Sequence, residues 1–144
     1  ILNHVAADLP LPAHGAVMEL GLGNGRTFNH LREIFPGRRI VAFDRALVAH
    51  ASSVPEEGNL ILGEIRETAA AFAGTGAALV HADIGTGYPE KDAVTLTWLP
   101  QLVAALLAPG GVAISGLPLD VRGLTALPLP EGVPDDRYFL YRRT

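Results

Sequence analysis

The residues that could do chemistry begin at Glu19. It opens the stretch E-L-G-L-G-N-G, in which Gly21, Gly23 and Gly25 occupy alternate positions. Glycine is a poor residue in strands and helices alike. Three of them between an apolar run and a helical one suggest that something approaches the main chain closely there. The first lets the chain turn sharply out of a strand, and the others bare the surface a ligand would touch. The helix start that follows offers unpaired N–H groups and a positive dipole end, which suit an anion. The spacing is not the G-x-G-x-x-G of a dinucleotide loop, because Arg26 stands where the third glycine would be. Further along, Asp44 ends an apolar run, Glu64 and Ile65 end another, and His81 and Asp83 end a third. A carboxylate such as Asp44 can accept two hydroxyl protons in charge-assisted bonds. Asp83 could serve as a general base, orient a hydroxyl or amine, or cap the next turn.

These groups need a frame that gathers strand ends, and the chain alternates between strand-like and helix-like segments. Strands are expected at Ala16–Leu22, Arg38–Asp44, Leu60–Ile65, Ala78–Gly85 and 112–117, with a last one at Tyr138–Arg142. Their apolar, β-branched runs suit strands buried on both faces. Helices are expected over Leu2–Leu9, Arg26–Phe35, 45–51, 66–73 and Asp92–Leu107. Pro100 must kink that last helix or mark its true first turn. The proline-rich 118–134 reads as irregular, with an edge strand near Leu124–Leu127 at most. The alternation predicts an α/β fold, a doubly wound and mostly parallel sheet with helices on both faces. In such sheets ligands bind beyond the carboxyl ends of the strands, where the glycine run lies.

With these positions in register, the sequence resembles the class I S-adenosylmethionine-dependent methyltransferases, whose signature is E/D-x-G-x-G-x-G. The resemblance runs from Ala16 to Arg143 and implies a Rossmann-like core with an antiparallel C-terminal strand. It implies S-adenosyl-L-methionine as cofactor, lying over Gly21, Gly23 and Gly25, with Glu19 orienting the loop. Asp44 would hold both ribose hydroxyls, with Arg45 beside it. Glu64 would sit near the adenine amine and Ile65 against its face, although Arg45 or Arg66 could simply pair with Glu64. His81 and Asp83 would lie beside the sulfonium, as cofactor contact (Asp83) and catalytic candidates (both). A buried structural histidine is the other reading of His81. Strand five ends in I-S-G-L-P-L-D, with Ser115 and Gly116 where a metal-dependent subclass carries an acid and an amide, so no metal is expected. A-D-I-G replaces the amine-methylating [DN]-P-P-[YFW] motif, which turns the reading away from nucleic-acid bases.

Composition sets the outer limits. At 144 residues, 49% hydrophobic and 18% charged, one packed domain spanning 1–144 is expected. Ile1 in place of Met suggests a trimmed N-terminus. A net charge of −4 argues against duplex binding, which needs a basic face. The basic clusters, Arg38 with Arg39 and Arg137 with Arg142 and Arg143, read as solvated strand ends. Without cysteine, disulfides, thiolate metal sites and cysteine nucleophiles are excluded. No apolar run reaches the roughly 18 residues of a membrane span. The expectation is a cytoplasmic methyltransferase acting on a small-molecule acceptor, with no nucleic-acid or membrane partner and a homo-oligomer left open. The alternatives are a cofactor-binding domain without catalysis and a nicotinamide-dependent oxidoreductase.

Overall fold

The computed structural model describes residues 1–22, 25–45, 59–134 and 137–144. The elements in chain order are α1 (Leu2–Asp8), β1 (Val17–Leu20), α2 (Arg26–Ile34), β2 (Ile40–Asp44), β3 (Leu60–Leu62), α3 (Ile65–Thr68), β4 (Ala77–Ala82), α4 (Pro89–Thr95), α5 (Leu99–Leu106), β5 (Leu107–Ser115), β6 (Leu124–Leu127) and β7 (Phe139–Arg143). A single 3₁₀ turn at Ala69–Phe72 prolongs α3. The helix expected at 45–51 falls almost wholly outside the described residues.

The seven strands form one sheet in the order β3-β2-β1-β4-β5-β7-β6. The first five are parallel, and β7 runs antiparallel to both β5 and β6. The order reverses at β1, which pairs with β2 on one side and β4 on the other. A crevice opens at such a switch point.

Period-two alternation sends apolar residues to two cores. Met18, Leu20, Val41, Phe43, Val80 and Ala82 pack on one face, against Ile65, Leu99, Val103 and Leu106 of α3 and α5. Val17, Ile40, Ala42, Leu79, Val112 and Ile114 pack on the other, against Val5 of α1 and Phe28 and Leu31 of α2. By the same alternation Glu19, Asp44 and His81 belong to the α1/α2 face.

Several boundaries differ from the sequence expectation. Strand β3 stops at Leu62 rather than Ile65 because Gly63 takes φ +140°, which turns the chain and makes Glu64 the residue before α3. Strand β4 stops at Ala82, so Asp83 stands just past its end. The single helix over Asp92–Leu107 is two. Pro89 starts α4 inside the expected loop, and Pro100 lies in the first turn of α5. The A-P-G-G segment is part of β5 and bulges: Ala77 faces Leu107 while Leu79 faces Val112. Proline cannot donate to a ladder, which is why Pro109 sits in the bulge. The edge strand at Leu124–Leu127 is present as β6.

Among the described residues no helix is long and apolar enough to cross a membrane. Of the arginines expected as solvated strand ends, Arg39 is exposed and donates to Asn59 Oδ1 at 2.8 Å, whereas Arg38 and Arg142 hold main chain. Arg38 donates to the carbonyls of Pro12 and Gly15, at 2.6 and 3.1 Å. Arg142 donates to those of Pro10 and Gly110 at 2.9 and 2.8 Å.

Candidate active site

A cleft of about 740 Å³ opens over the carboxyl ends of β1, β2 and β4. The chain leaves β1 through Gly21, whose φ of +96° puts its Cα where a β-carbon would stand 2.8 Å from Ile84 Cγ2. No side chain fits there without displacing the β4 end. The Gly21 amide donates to the Phe43 carbonyl at 2.7 Å, and the Gly25 amide closes a turn on the Leu22 carbonyl at 3.0 Å. Asp44 stitches this loop to β2. Its Oδ2 accepts from the Leu22 amide at 2.9 Å and its Oδ1 from the Arg45 amide at 2.7 Å. The same carboxylate lines the cleft, with Glu64 and Ile65 further along the wall. Glu64 is exposed and paired with Arg45 Nε at 3.1 Å.

Glu19 lies deeper. Only 2% of it is exposed. Its Oε2 is buried without a hydrogen-bond partner. Burial, then the nearby charges of Asp83 and Asp44, push its carboxyl up from 4.5 to about 8. Its register partner on β4 is His81, also buried, with an unpartnered Nδ1. Burial lowers the His81 basicity, partly offset by Asp83, so the ring is held neutral.

A smaller cleft of about 230 Å³ adjoins this one. Its walls include Asn3 of α1, Thr27 and His30 of α2, His81, Asp83 and Tyr138. Asp83 and Thr27 line both clefts. Ligands in the two clefts would therefore lie next to each other, and adjacency of donor and acceptor is what a group transfer requires.

A family model described as S-adenosyl-L-methionine methyltransferase matches residues 1–143. The chain belongs to this family. It is 44% identical to the S-adenosyl-L-methionine methyl transferase of Silicibacter pomeroyi DSS-3, over 99% of this chain and 89% of that one, with a TM-score of 0.87. The aminoglycoside resistance methyltransferase NpmB1 shares the fold at 11% identity, covering 99% and 92% of the two chains, with a TM-score of 0.59. So does a mutant 16S rRNA (adenine(1408)-N(1))-methyltransferase from Catenulisporales acidiphilia solved with its cosubstrate SAM, at 17% identity, 98% and 87% coverage, and a TM-score of 0.57. No curated protein matches the chain. The family's cofactor is S-adenosylmethionine, and the residues present fit it. The cleft has the volume of a small-molecule site, its floor carries carboxylates suited to a sulfonium cation, and the orphaned Glu19 Oε2 awaits a partner.

The structure thus brings Glu19, Gly21, Asp44, Arg45, Glu64, Ile65 and Asp83 to one cleft. Gly23 lies outside the described residues, and Gly25 shapes the loop without lining the cleft. His81 faces the smaller cleft instead. Tyr88 is 59% exposed. Trp98 does line the cleft, together with Lys91, Val94 and Thr95 of α4. The spacing 91, 94, 95 is a helical stripe, and reading the helix start at Pro89 would have exposed it. Among the described residues no three His, Asp or Glu side chains gather as a metal site would need.

Proposed function

We propose that the larger cleft binds S-adenosylmethionine and that Asp83 presents to it a small acceptor held in the adjoining 230 Å³ cleft. The observation that carries this reading is the position of Asp83 on the wall common to both clefts. When bound, S-adenosylmethionine supplies an electrophilic methyl on a cationic sulfur, and a neutral thioether leaves. Of the residues lining the cleft, Asp44 would hold the ribose hydroxyls, Glu64 and Ile65 would flank the adenine, and the bare main chain at Gly21 would admit the amino-acid end. Asp83 accepts a hydrogen bond from the acceptor's O–H or N–H, aims its lone pair along the displacement line, and takes the proton as the new bond to carbon forms. His81, buried and unpartnered at Nδ1, shapes the wall of the acceptor's cleft. Alignment of the two reactants supplies much of the acceleration.

Two features support a small acceptor over an RNA base. The net charge is −4, and Arg38, Arg142 and Arg143 spend their guanidinium groups on main-chain carbonyls rather than presenting them to phosphates. The test is transfer of labelled methyl to a panel of phenols, alcohols and amines, with ribosomal RNA as a parallel arm. Asp83→Asn should lower kcat about 10²- to 10⁴-fold while S-adenosylmethionine binding is retained. Methylation of RNA alone, or full turnover by Asp83→Asn, would overturn the assignment.

A further inference from the structure

We propose that Glu19 gives up a proton to solvent when the methyl donor binds, so that the cleft takes up a cationic ligand in exchange for that proton. This inference rests on the larger cleft being the cofactor site.

The geometry is a convergence of acids at neighbouring strand ends, with Glu19 buried, Asp44 half-buried and Asp83 exposed. Glu19 on β1, Asp44 at the end of β2 and Asp83 past the end of β4 all line the cleft. Asp44 has its oxygens engaged by the Leu22 and Arg45 amides. Among the described residues no amide donates to Glu19 Oε2. Its Oε2 is sealed from water and unpartnered, and it sits beside two other carboxylates. A buried acid next to like charges keeps its proton, as the displacement of its titration to about 8 expresses.

Among the described residues no ion pair to Glu19 is formed, and the charged neighbours that act on it are acids. His81 is its strand neighbour, and burial keeps that ring from charging. From α2, His30 lines the far side of the smaller cleft, and Arg26 at the helix start is exposed. From α1, Asn3 faces the smaller cleft while His4 is paired with Asp8. Across the larger cleft, Arg45 is committed to Glu64, and Arg66 and Lys91 lie at its exposed rim. The cation that Glu19 lacks is therefore one the ligand brings. S-adenosylmethionine carries two, a sulfonium and an ammonium. Either of them in the cleft favours the carboxylate, and the proton leaves for bulk water because His81 is a poor base here.

The sign of the linkage follows. Below about pH 8 the free protein holds the proton and the complex does not, so affinity for the donor rises with pH and levels off above 8. Methylthioadenosine, which has the adenosyl thioether and neither cation, should bind with no proton exchange.

The experiment is titration calorimetry of the full chain at pH 7, in phosphate and in Tris, with S-adenosylmethionine, S-adenosylhomocysteine and methylthioadenosine. The buffer dependence of the enthalpy counts protons. Wild type should release close to one proton with S-adenosylmethionine and none with methylthioadenosine. A smaller release with S-adenosylhomocysteine assigns the effect to the sulfonium, and an equal one to the ammonium. Glu19→Gln, which imitates the protonated acid, should bind the donor with no release and lose the rise in affinity, about tenfold per pH unit at its steepest. Binding of S-adenosylmethionine by wild type without proton release, or the same release from Glu19→Gln, would overturn the proposal. Should Glu19→Gln not fold, the comparison of the three ligands on wild type decides alone. Failure to bind any of the three would instead count against the cleft assignment.

Discussion

At the scale of single residues, Asp44 does two jobs with one carboxylate. It accepts main-chain amides from both the glycine loop and the start of the β2 loop, and it presents the same group to the cleft. Asp44→Ala therefore removes a ligand contact and loosens the loop. S-adenosylmethionine affinity should fall by about 1.5–3 kcal/mol, as for hydrogen bonds to a charged group, measured by calorimetric titration. An unchanged affinity would show that the ribose lies elsewhere. The placement of Gly21 and Asp44 at the ends of β1 and β2 was legible from sequence because it depends on local spacing along consecutive strands. Glu19 was only half legible. A glutamate one residue before the end of a strand reads equally as solvated or buried, and only the covering by α2 and the Gly21 turn makes it buried.

At the scale of elements, α4 has no buried residue yet furnishes Lys91, Val94 and Thr95 to the cleft wall. It is placed by its first turn. Asp92 accepts from the Thr86 amide and hydroxyl at 2.8 and 2.9 Å and from the Gly87 amide at 3.2 Å. These bonds, the Thr86 amide foremost, hold its carboxyl below the ordinary range. Asp92→Ala should speed amide hydrogen exchange at Thr86 and Gly87 and weaken cofactor binding a few-fold, with the global unfolding transition little changed. A variant with native exchange rates would show that α4 is held by something else. The split between α4 and α5 was hidden from sequence because the apolar pattern runs through both. The interruption at Leu96–Trp98 is a matter of which face meets the sheet, and periodicity alone does not record it.

At the scale of the whole molecule, burying Glu19 is a cost the fold bears until a cation arrives. Its carboxyl titrates near 8 folded against 4.5 ordinarily, so the folded chain binds more protons than the unfolded one between those values. Stability from this group is full below about pH 4.5 and is lost as pH rises through 8. The loss is on the order of 1.4 kcal/mol per pH unit within that window. Urea unfolding at pH 5, 7 and 8.5 should show Glu19→Gln close to wild type at the acid end and progressively more stable than it toward pH 8.5. Parallel curves would mean that the acid is solvated. The rest of the sheet tolerates the cost because apolar side chains fill both of its faces, and Arg142 ties the N-terminal segment to the β5 bulge through two carbonyls.

The sequence by itself determined the alternation of strands and helices, the place where the chain must turn out of β1, and the carboxylates at consecutive strand ends. Each of these is a short-range property, set by side-chain period and by the conformational freedom of glycine. Tertiary structure decided the rest. The smaller cleft is assembled from Asn3, Thr27, His81 and Tyr138, residues that no local pattern relates. The shared wall at Asp83 and the sealed, proton-holding state of Glu19 exist only once α1 and α2 close over the sheet. Burial and proximity are properties of the packed molecule, because they depend on what covers a residue rather than on what precedes it.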